Sequence, residues 1–134
     1  MILMDTHIWL RWLLPDDPLP QNVIKLIETT ENLAVSSISC WEVVLLEKLH
    51  RIELPLSADE WLKEALNESI VTALPITATI ASLAGSLPYH HKDPADRFII
   101  ATAIYHDMKL ISFDGYFPSY CELNNRLITE SSKL

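Results

Sequence analysis

Five carboxylates in this chain border or interrupt apolar segments, where the need for solubility does not explain them. They are Asp5, Glu42, Asp93, Asp96 and Asp114. Carboxylates that share one pocket repel each other and raise each other's pKa, so they need a positive partner. No buried lysine or arginine is evident for all of them. Mg²⁺ or Mn²⁺ would resolve the repulsion, because these hard cations take oxygen ligands such as carboxylates, water and substrate phosphate. The residue types therefore predict a divalent-cation site.

Each acid except one also has an ordinary structural explanation. Asp93 is a good N-cap, and Asp96 suits the first turn of the same helix, where the helix dipole favours negative charge. Asp5 could cap the first helix, and Asp114 could begin a turn. Glu42 falls in the middle of a predicted helix, in line with apolar residues, and so has no cap to form. Its burial demands a partner.

The acids lie where predicted elements would bring them together. Residues 2–4 and 110–113 have the pattern of buried parallel strands, and they are followed directly by Asp5 and Asp114. In open α/β sheets, ligands bind at the carboxyl ends of the strands. Apolar residues recur three and four positions from Glu42 and from Asp96, which predicts that both acids face inward from their helices.

The whole pattern alternates short strands with one or two helices. The predicted strands are 2–4, 33–36, 70–74, 110–113 and a short edge strand at 126–129. The predicted helices are 6–14, one from the turn at 15–20 through Glu31, one capped by Ser37 or Ser39 that runs to about Leu49, 58–66 with a Ser57 and Glu60 capping box, one capped by Thr77 that ends near Gly85, and one that starts at Asp93-Pro94 and reaches His106. This alternation predicts an α/β fold with a central, mostly parallel sheet of four to five strands covered on both faces. We expect residues 1–134 to form one domain.

Composition excludes several classes of protein. Two glycines in 134 residues leave no glycine-rich phosphate loop or dinucleotide-binding fingerprint. Cys40 and Cys121 have neither disulfide-framework nor metal-ligand spacing, which is typical of reduced thiols in a cytosolic protein. The apolar runs are much shorter than the ~20 residues that span a bilayer. We therefore expect a cytoplasmic protein without membrane association.

The formal net charge of −8 argues at first against a nucleic-acid partner, because lysine and arginine drive phosphate binding. The objection weakens if the acids surround bound cations, which reverse the local sign, while basic side chains supply the rims. Those side chains are Lys48, His50, Arg51, His90, His91, Lys92 and Arg97. Ordinary solvated surface is the alternative for them. The adjacent histidines lack metal-ligand spacing, and we expect His7 to pack near the site rather than to bind metal.

Three blocks of sequence carry a specific pattern of order and spacing. They are MILMDTHIWLRWLL at 1–14, VSSISCWEVVLLEKLHRI at 35–52 and LPYHHKDPADRFIIATAIYHDMKLISFDGYFPSY at 87–120. They resemble the motif blocks of PIN-domain proteins, and most closely those of VapC-type toxins from bacterial toxin–antitoxin pairs. The resemblance covers nearly the whole chain and implies a PIN-like three-layer α/β/α sandwich.

The resemblance also implies roles for individual residues. It assigns the Mg²⁺ or Mn²⁺ ligands to Asp5, Glu42, Asp96 and Asp114. Asp93 would be an additional acid behind the ligands, and Ser112 falls where the family often has a hydroxyl residue that helps to hold the site. The chain departs from the family at Phe113 and Gly115, where a small residue before the last acid and a basic residue after it are commoner. That departure affects local phosphate contacts rather than cation binding.

The implied activity is that of a metal-dependent endoribonuclease that hydrolyses RNA phosphodiester bonds and acts as the toxin of its pair. The residues agree, because cation-assisted hydrolysis of a phosphodiester needs no side-chain nucleophile. Thr6 or Ser112 could orient the attacking water. Arg97 could contact phosphate or form a salt bridge with Asp93 across one helical turn.

The implied partners are RNA, a cognate antitoxin and a second copy of the chain in a homodimer. Trp9, Trp12 and Leu13 on the first helix, together with Trp41, predict more apolar surface than one inward stripe needs. Some of that surface should be covered by another chain. The same tryptophans could instead stack on bases or belong to the core.

Two other functions stay open. The chain could be a catalytically idle PIN-like module for protein interaction, although such a module would be expected to have lost at least one acid. It could also be a phosphatase with Asp5 as nucleophile. That chemistry needs a second acid beside the first and a lysine near the last strands, whereas Thr6 follows Asp5 and Lys109 precedes its strand.

Overall fold

A computed structural model describes residues 1–67, 70–90 and 92–134. The strands are β1 (Ile2–Met4), β2 (Leu33–Ser36), β3 (Val71–Leu74), β4 (Lys109–Ile111) and β5 (Leu127–Ile128). The α-helices are α1 (Thr6–Leu13), α2 (Gln21–Thr29), α3 (Ser37–Lys48), α4 (Ala58–Ala65), α5 (Ala78–Ser86) and α6 (Pro94–Tyr105). Two short 3₁₀ turns, Phe117–Ser119 and Cys121–Leu123, connect β4 to β5. Every helix in the part of the chain that the structure describes is too short or too polar to cross a membrane.

The five strands form one sheet in the order β3-β2-β1-β4-β5, and every pairing is parallel. The prediction of an α/β fold with a mostly parallel central sheet is therefore confirmed. β1 lies in the middle, with Leu3 opposite Ala34 of β2 on one side and Leu110 of β4 on the other. The carboxyl ends of these three strands consequently lie side by side. Polar residues that follow them must meet at one edge of the sheet.

Alternate residues of each strand pack against opposite layers of helices, as the pleat of a strand requires. Met4 and Val35 join the core cluster that contains Trp9, Val23 and Trp61. Leu3, Ala34 and Leu110 join the other cluster, which contains Ile80, Ile99 and Phe117. Each fully buried large apolar side chain contributes about 1.5–3 kcal/mol relative to exposure. The two cores confirm the three-layer arrangement.

Several predicted boundaries shift, and hydrogen bonds explain why. β4 ends at Ile111 rather than at Phe113, because the Phe113 N–H donates to the His7 ring and Asp114 N–H donates to Ser112 Oγ. The predicted cap of α3 at Ser37 or Ser39 is wrong. Ser36, the last residue of β2, caps this helix by accepting a hydrogen bond from Ile38 N–H.

The remaining predicted helix starts are confirmed. Ser57 caps α4, Thr77 caps α5 and Asp93 caps α6 with Pro94 in the first turn. α2 ends two residues before Glu31, where the Thr30 hydroxyl donates to the carbonyl of Leu26. Local capping chemistry thus sets most of these boundaries.

The prediction that both acids face inward from their helices holds for Asp96 but only in part for Glu42. Asp96 is buried on α6 with Ile100 and Ala103, as expected. On α3 the fully buried positions are Ser39 and Val43, so Glu42 lies on the flank of the inward face and is half-buried. Leu49, predicted to share the stripe of Glu42, is exposed beyond the end of the helix.

Candidate active site

Four structural elements deliver the acids to the carboxyl edge of the sheet. Asp5 follows β1 directly and is also the N-cap of α1. Asp114 lies three residues beyond the end of β4. Because β2 runs straight into α3, Glu42 is held less than two turns from the edge. Asp93 and Asp96 occupy the cap and the first turn of α6.

Asp5 is the most firmly held of these acids, with only 3% of its surface exposed. Its Oδ1 accepts the backbone N–H of Thr6 at 2.8 Å. Its Oδ2 accepts the Ser112 hydroxyl at 2.6 Å and lies 3.2 Å from His7 Nδ1. Three donors therefore fix one carboxylate. Hydrogen bonds of this kind satisfy the oxygens of a buried acid and fix its orientation.

Thr6 connects Glu42 to the same site. The Thr6 hydroxyl lies 2.5 Å from Glu42 Oε1 and 2.7 Å from Ser39 Oγ. A hydroxyl has one proton to donate. The Thr6 hydroxyl donates it to the Glu42 carboxylate, and the Ser39 hydroxyl can donate its own proton to the Thr6 oxygen. Ser39 was predicted only as a possible cap. Its position three residues before Glu42, on the same face of a helix, is the signal that could have identified it.

The ionised form of Glu42 is destabilised in this position. Burial raises its pKa from the ordinary value of 4.5 to about 7. The hydrogen bond from Thr6 opposes that rise, whereas the charges of Asp5 and Asp93 add to it. Asp5 and Asp93 are therefore close enough to Glu42 for their negative charges to repel its carboxylate. A positive charge placed among them would be stabilised.

Asp93 and Asp114 also make the local contacts that their alternative explanations require. Asp93 Oδ1 accepts the N–H of Ala95 at 3.0 Å, and Asp114 Oδ1 accepts the N–H of Tyr116 at 2.8 Å. Each contact uses one carboxylate oxygen. Because an ionised carboxylate can accept about four hydrogen bonds, capping leaves further oxygen lone pairs for another ligand. The capping explanation and a site are compatible here.

Asp96 is buried, with 6% of its surface exposed, one helical turn from the cap residue Asp93. The acidic side chains that the structure describes are not close enough together to coordinate one cation. Within residues 1–67, 70–90 and 92–134, no three histidine, cysteine or acidic side chains are grouped closely enough to hold a metal ion. The structure thus gathers the acids at one edge without converging them on a single point.

The imidazole of His7 lies between two parts of the site. Its Nε2 accepts the backbone N–H of Phe113 at 3.1 Å, while Nδ1 faces Asp5 Oδ2. Burial lowers the pKa of His7, but the hydrogen bond to Asp5 and the charges of Asp5 and Asp114 outweigh burial and raise it overall. The charges of Asp5 and Asp114 thus favour the protonated ring, whereas the hydrogen bond from Phe113 N–H requires an unprotonated Nε2. Because that hydrogen bond is seen directly in the geometry, we take the ring to be neutral in this structure.

The predicted auxiliary residues have defined contacts. The protons of Thr6 and Ser112 are directed to carboxylates, so these hydroxyls offer a water molecule their lone pairs rather than their protons. The guanidinium of Arg97 lies 4.5 Å from the ring centroid of Tyr89. No carboxylate of the described residues forms an ion pair with Arg97, so the predicted bridge to Asp93 is not formed. His91 lies outside the described residues.

The tryptophans divide between core and surface. Trp9 is fully buried and packs on Trp61 at 5.3 Å between ring centroids, so it contributes nothing to an exposed patch. Trp41 on α3 is 55% exposed, and Val44 beside it is also exposed. On α1, Leu13 is exposed and Trp12 is half-buried, so both helices contribute exposed apolar surface, with Trp41 the largest part of it.

Comparison with known proteins identifies the family. Residues 2–123 match the PIN domain family. Ribonuclease VapC22 of Mycobacterium tuberculosis is 34% identical over 120 residues, which is 89% of this chain and 91% of that protein. A toxin–antitoxin complex from Klebsiella pneumoniae has a similar structure, with a TM-score of 0.68, 21% identity and coverage of 99% of this chain and 100% of the other. VapBC2 from Rickettsia felis, bound to a DNA fragment from its promoter, gives a TM-score of 0.69 at 20% identity over 96% and 98% of the two chains. The fold and the sequence agree, and the chain belongs to the PIN domain family.

Proposed function

We propose that this chain is a divalent-cation-dependent endoribonuclease and the toxin of a toxin–antitoxin pair, acting in the cytoplasm. The observation that carries the proposal is the gathering of Asp5, Glu42 and the acids of α6 at the carboxyl edge of the sheet. Similarity to Ribonuclease VapC22 over nine-tenths of the chain supports the activity. Neighbouring structures that are toxin–antitoxin complexes support the pairing.

Mg²⁺ or Mn²⁺ would be held by Asp5, Glu42, Asp96 and Asp114, with Asp93 behind them. The donor set fits such a cation, because all of these ligands are hard oxygens and because Glu42 is poorly stable as an anion without a positive neighbour. When bound, the cation would activate water and offset negative charge on the phosphate. The chain's own contribution is to hold the carboxylates: Ser112 fixes Asp5, and Thr6 fixes Glu42.

RNA would be contacted beside the first turn of α6. Arg97 lies over a ring and pairs with no acid among the described residues, so its N–H groups would be available to phosphate. Tyr89 is 67% exposed, so its ring could also stack on an unpaired base. The net charge of −8 then bears less on binding, since a cation and a local basic rim meet the phosphates.

The test is cleavage of end-labelled single-stranded RNA by the purified protein. We expect cleavage with Mg²⁺ or Mn²⁺ and none with EDTA. Turnover of p-nitrophenyl phosphate without RNA cleavage would favour the phosphatase with Asp5 as nucleophile. An intact RNA and an intact phosphate ester under all conditions would favour the idle interaction module. Sequencing of RNA ends after brief induction in cells would then identify the target.

The antitoxin would bind a groove of about 360 Å³ that opens beside His7. Its apolar lining is formed by Leu10, Leu14, Leu46 and Ile52. Its rim is charged: Arg11 pairs with Asp17 at 3.2 Å, and Arg51, Asp16 and Glu53 complete it. An apolar groove whose rim offers the acids Asp16 and Glu53 suits an amphipathic segment that carries basic side chains. We therefore expect a neighbouring gene that encodes a short protein with such a segment. An Arg of that segment could also compete with the cation among the acids.

Reversing the charge of two rim acids tests this partner. Asp16→Lys combined with Glu53→Lys should weaken antitoxin binding by about tenfold or more, chiefly through slower association. Asp59→Lys combined with Glu64→Lys on α4, which makes the same change of charge away from the groove, is the control. Binding would be measured with the purified antitoxin at two salt concentrations. Equal affinity for all variants, or harmless expression of the chain without any partner, would contradict the proposal.

A homodimer would cover the exposed apolar stripe of α3. Trp41 and Val44 lie three positions apart, so they share one face of that helix. Large exposed apolar side chains that cluster in this way mark interaction surfaces. Light scattering at micromolar concentration should give the mass of two chains, and a monomer would contradict this proposal.

A further inference from the structure

The side chain of His7 joins two segments that are far apart in the sequence. Its Nδ1 lies 3.2 Å from Asp5 Oδ2, and its Nε2 accepts the N–H of Phe113, a residue 106 positions away, at 3.1 Å. Phe113 lies between Ser112, which also donates to Asp5, and Asp114. The Asp114 N–H in turn donates to Ser112 Oγ at 3.2 Å. One ring therefore connects the first acid of the site to the segment that carries the last.

The hydrogen bonds define the state of the ring. A backbone N–H can only donate, so Nε2 must be unprotonated to accept it. In a neutral imidazole the single proton then lies on Nδ1, from which it donates to Asp5. Neither nitrogen retains a free lone pair for a cation. In metal sites, a side chain that bonds to a ligand in this way sets the orientation of that ligand.

We infer that His7 is a positioning residue, which holds Asp5 and residues 112–114 at a fixed separation and so prepares two ligands that follow different strands for one cation. The activity readout for this inference rests on the proposed nuclease function, but the state of the ring does not. His7 itself contacts neither substrate nor cation. Its removal should therefore act through cation affinity and turnover, with little effect on RNA binding.

Nuclear magnetic resonance of the cation-free wild-type protein tests the bridge directly. At a pH above the titration of His7, the ¹⁵N shifts of its ring should report protonated Nδ1 and unprotonated Nε2. A coupling or a downfield shift at the Phe113 amide should report its bond to the ring. The opposite tautomer, or a Phe113 amide that is insensitive to the state of His7, would overturn the inference whether or not the protein cleaves RNA.

Two substitutions separate the two bonds. The amide of His7→Asn can donate to Asp5 in place of Nδ1, and the carbonyl of His7→Gln can accept from Phe113 in place of Nε2. His7→Ala loses both. We expect His7→Ala to lower kcat and Mn²⁺ affinity by about 10- to 100-fold, with KM for RNA within about twofold of the parent. His7→Asn and His7→Gln should each recover part of the loss, and His106→Ala, at an exposed histidine, should change nothing.

The outcomes separate failure of the inference from failure of the proposed function. Absence of cation-dependent cleavage in the parent would contradict the nuclease, while the ring tautomer and Mn²⁺ affinity still decide the role of His7. Full activity and full Mn²⁺ affinity in folded His7→Ala would refute positioning. A rise in KM alone would instead make His7 a contact of the RNA, which also overturns the inference.

Discussion

Asp96→Asn should reduce RNA cleavage by more than about 100-fold and leave the circular dichroism spectrum unchanged. Even residues that only support metal ligands cost 10- to 100-fold when they are replaced, so a direct ligand should cost more. The substitution is nearly isosteric and replaces one carboxylate oxygen of a buried side chain by an uncharged NH2 group, which cannot bind a cation. Cleavage rates under excess cation, measured beside the spectrum, provide the test.

A matched control is available on another helix. Asp59 occupies the first turn of α4, as Asp96 occupies the first turn of α6, but it is exposed and pairs with Lys63. Asp59→Asn should therefore retain full activity. If Asp96 merely complements the helix dipole, both variants should lose the same small amount of stability and no activity. Full cleavage by Asp96→Asn would identify it as the wrong acid, and Asp93→Asn would be the next variant to measure.

Glu42→Gln should be more stable than the parent without divalent cation and less stable than the parent with it. In EDTA above pH 7, the variant should melt at a higher temperature than the parent, because it lacks a carboxylate that burial and the charges of Asp5 and Asp93 make unfavourable. At a cation concentration about 100-fold above the dissociation constant, linkage should stabilise the parent by about 2.7 kcal/mol, or roughly 10 °C. The variant should gain much less.

The pH dependence follows from the direction of the shift. The pKa of Glu42 is about 7 in the folded chain against an ordinary value of 4.5. The folded state therefore binds more protons than the unfolded state between these values, and stability falls as pH rises through this window. The advantage of Glu42→Gln in EDTA should accordingly shrink towards pH 5. If the difference in melting temperature between Glu42→Gln and the parent depended on neither pH nor cation, Glu42 would be an ordinary surface acid.

The sequence predicted where the acids would lie because parallel strands obey simple rules. Apolar runs ending at Asp5 and near Asp114 indicated buried strands, and the carboxyl ends of adjacent parallel strands share one edge of a sheet. Caps are equally local, so Asp93 and Thr77 could be identified from their neighbours in the chain. Ser36 was missed because it belongs to a strand and a helix at once.

The contacts that orient the site could not be predicted in the same way. Ser39 was known to precede Glu42 by three residues, but its contact with Thr6 depends on how α1 meets α3. Arg97 could equally have paired with Asp93, and only the course of the preceding loop brings Tyr89 within reach. The bond between His7 and Phe113 joins distant residues through a backbone N–H, which leaves no mark on side-chain patterns.

Anomalous diffraction from crystals grown with Mn²⁺ would test most directly whether the carboxyl edge is a cation site. We predict a strong peak bounded by Asp5, Glu42, Asp96 and Asp114, with His7 still bonded to Asp5 and outside the coordination sphere. The peak should disappear in Asp96→Asn crystals grown under the same conditions. Absence of a peak at these acids in the parent, at a Mn²⁺ concentration that supports cleavage, would contradict the account.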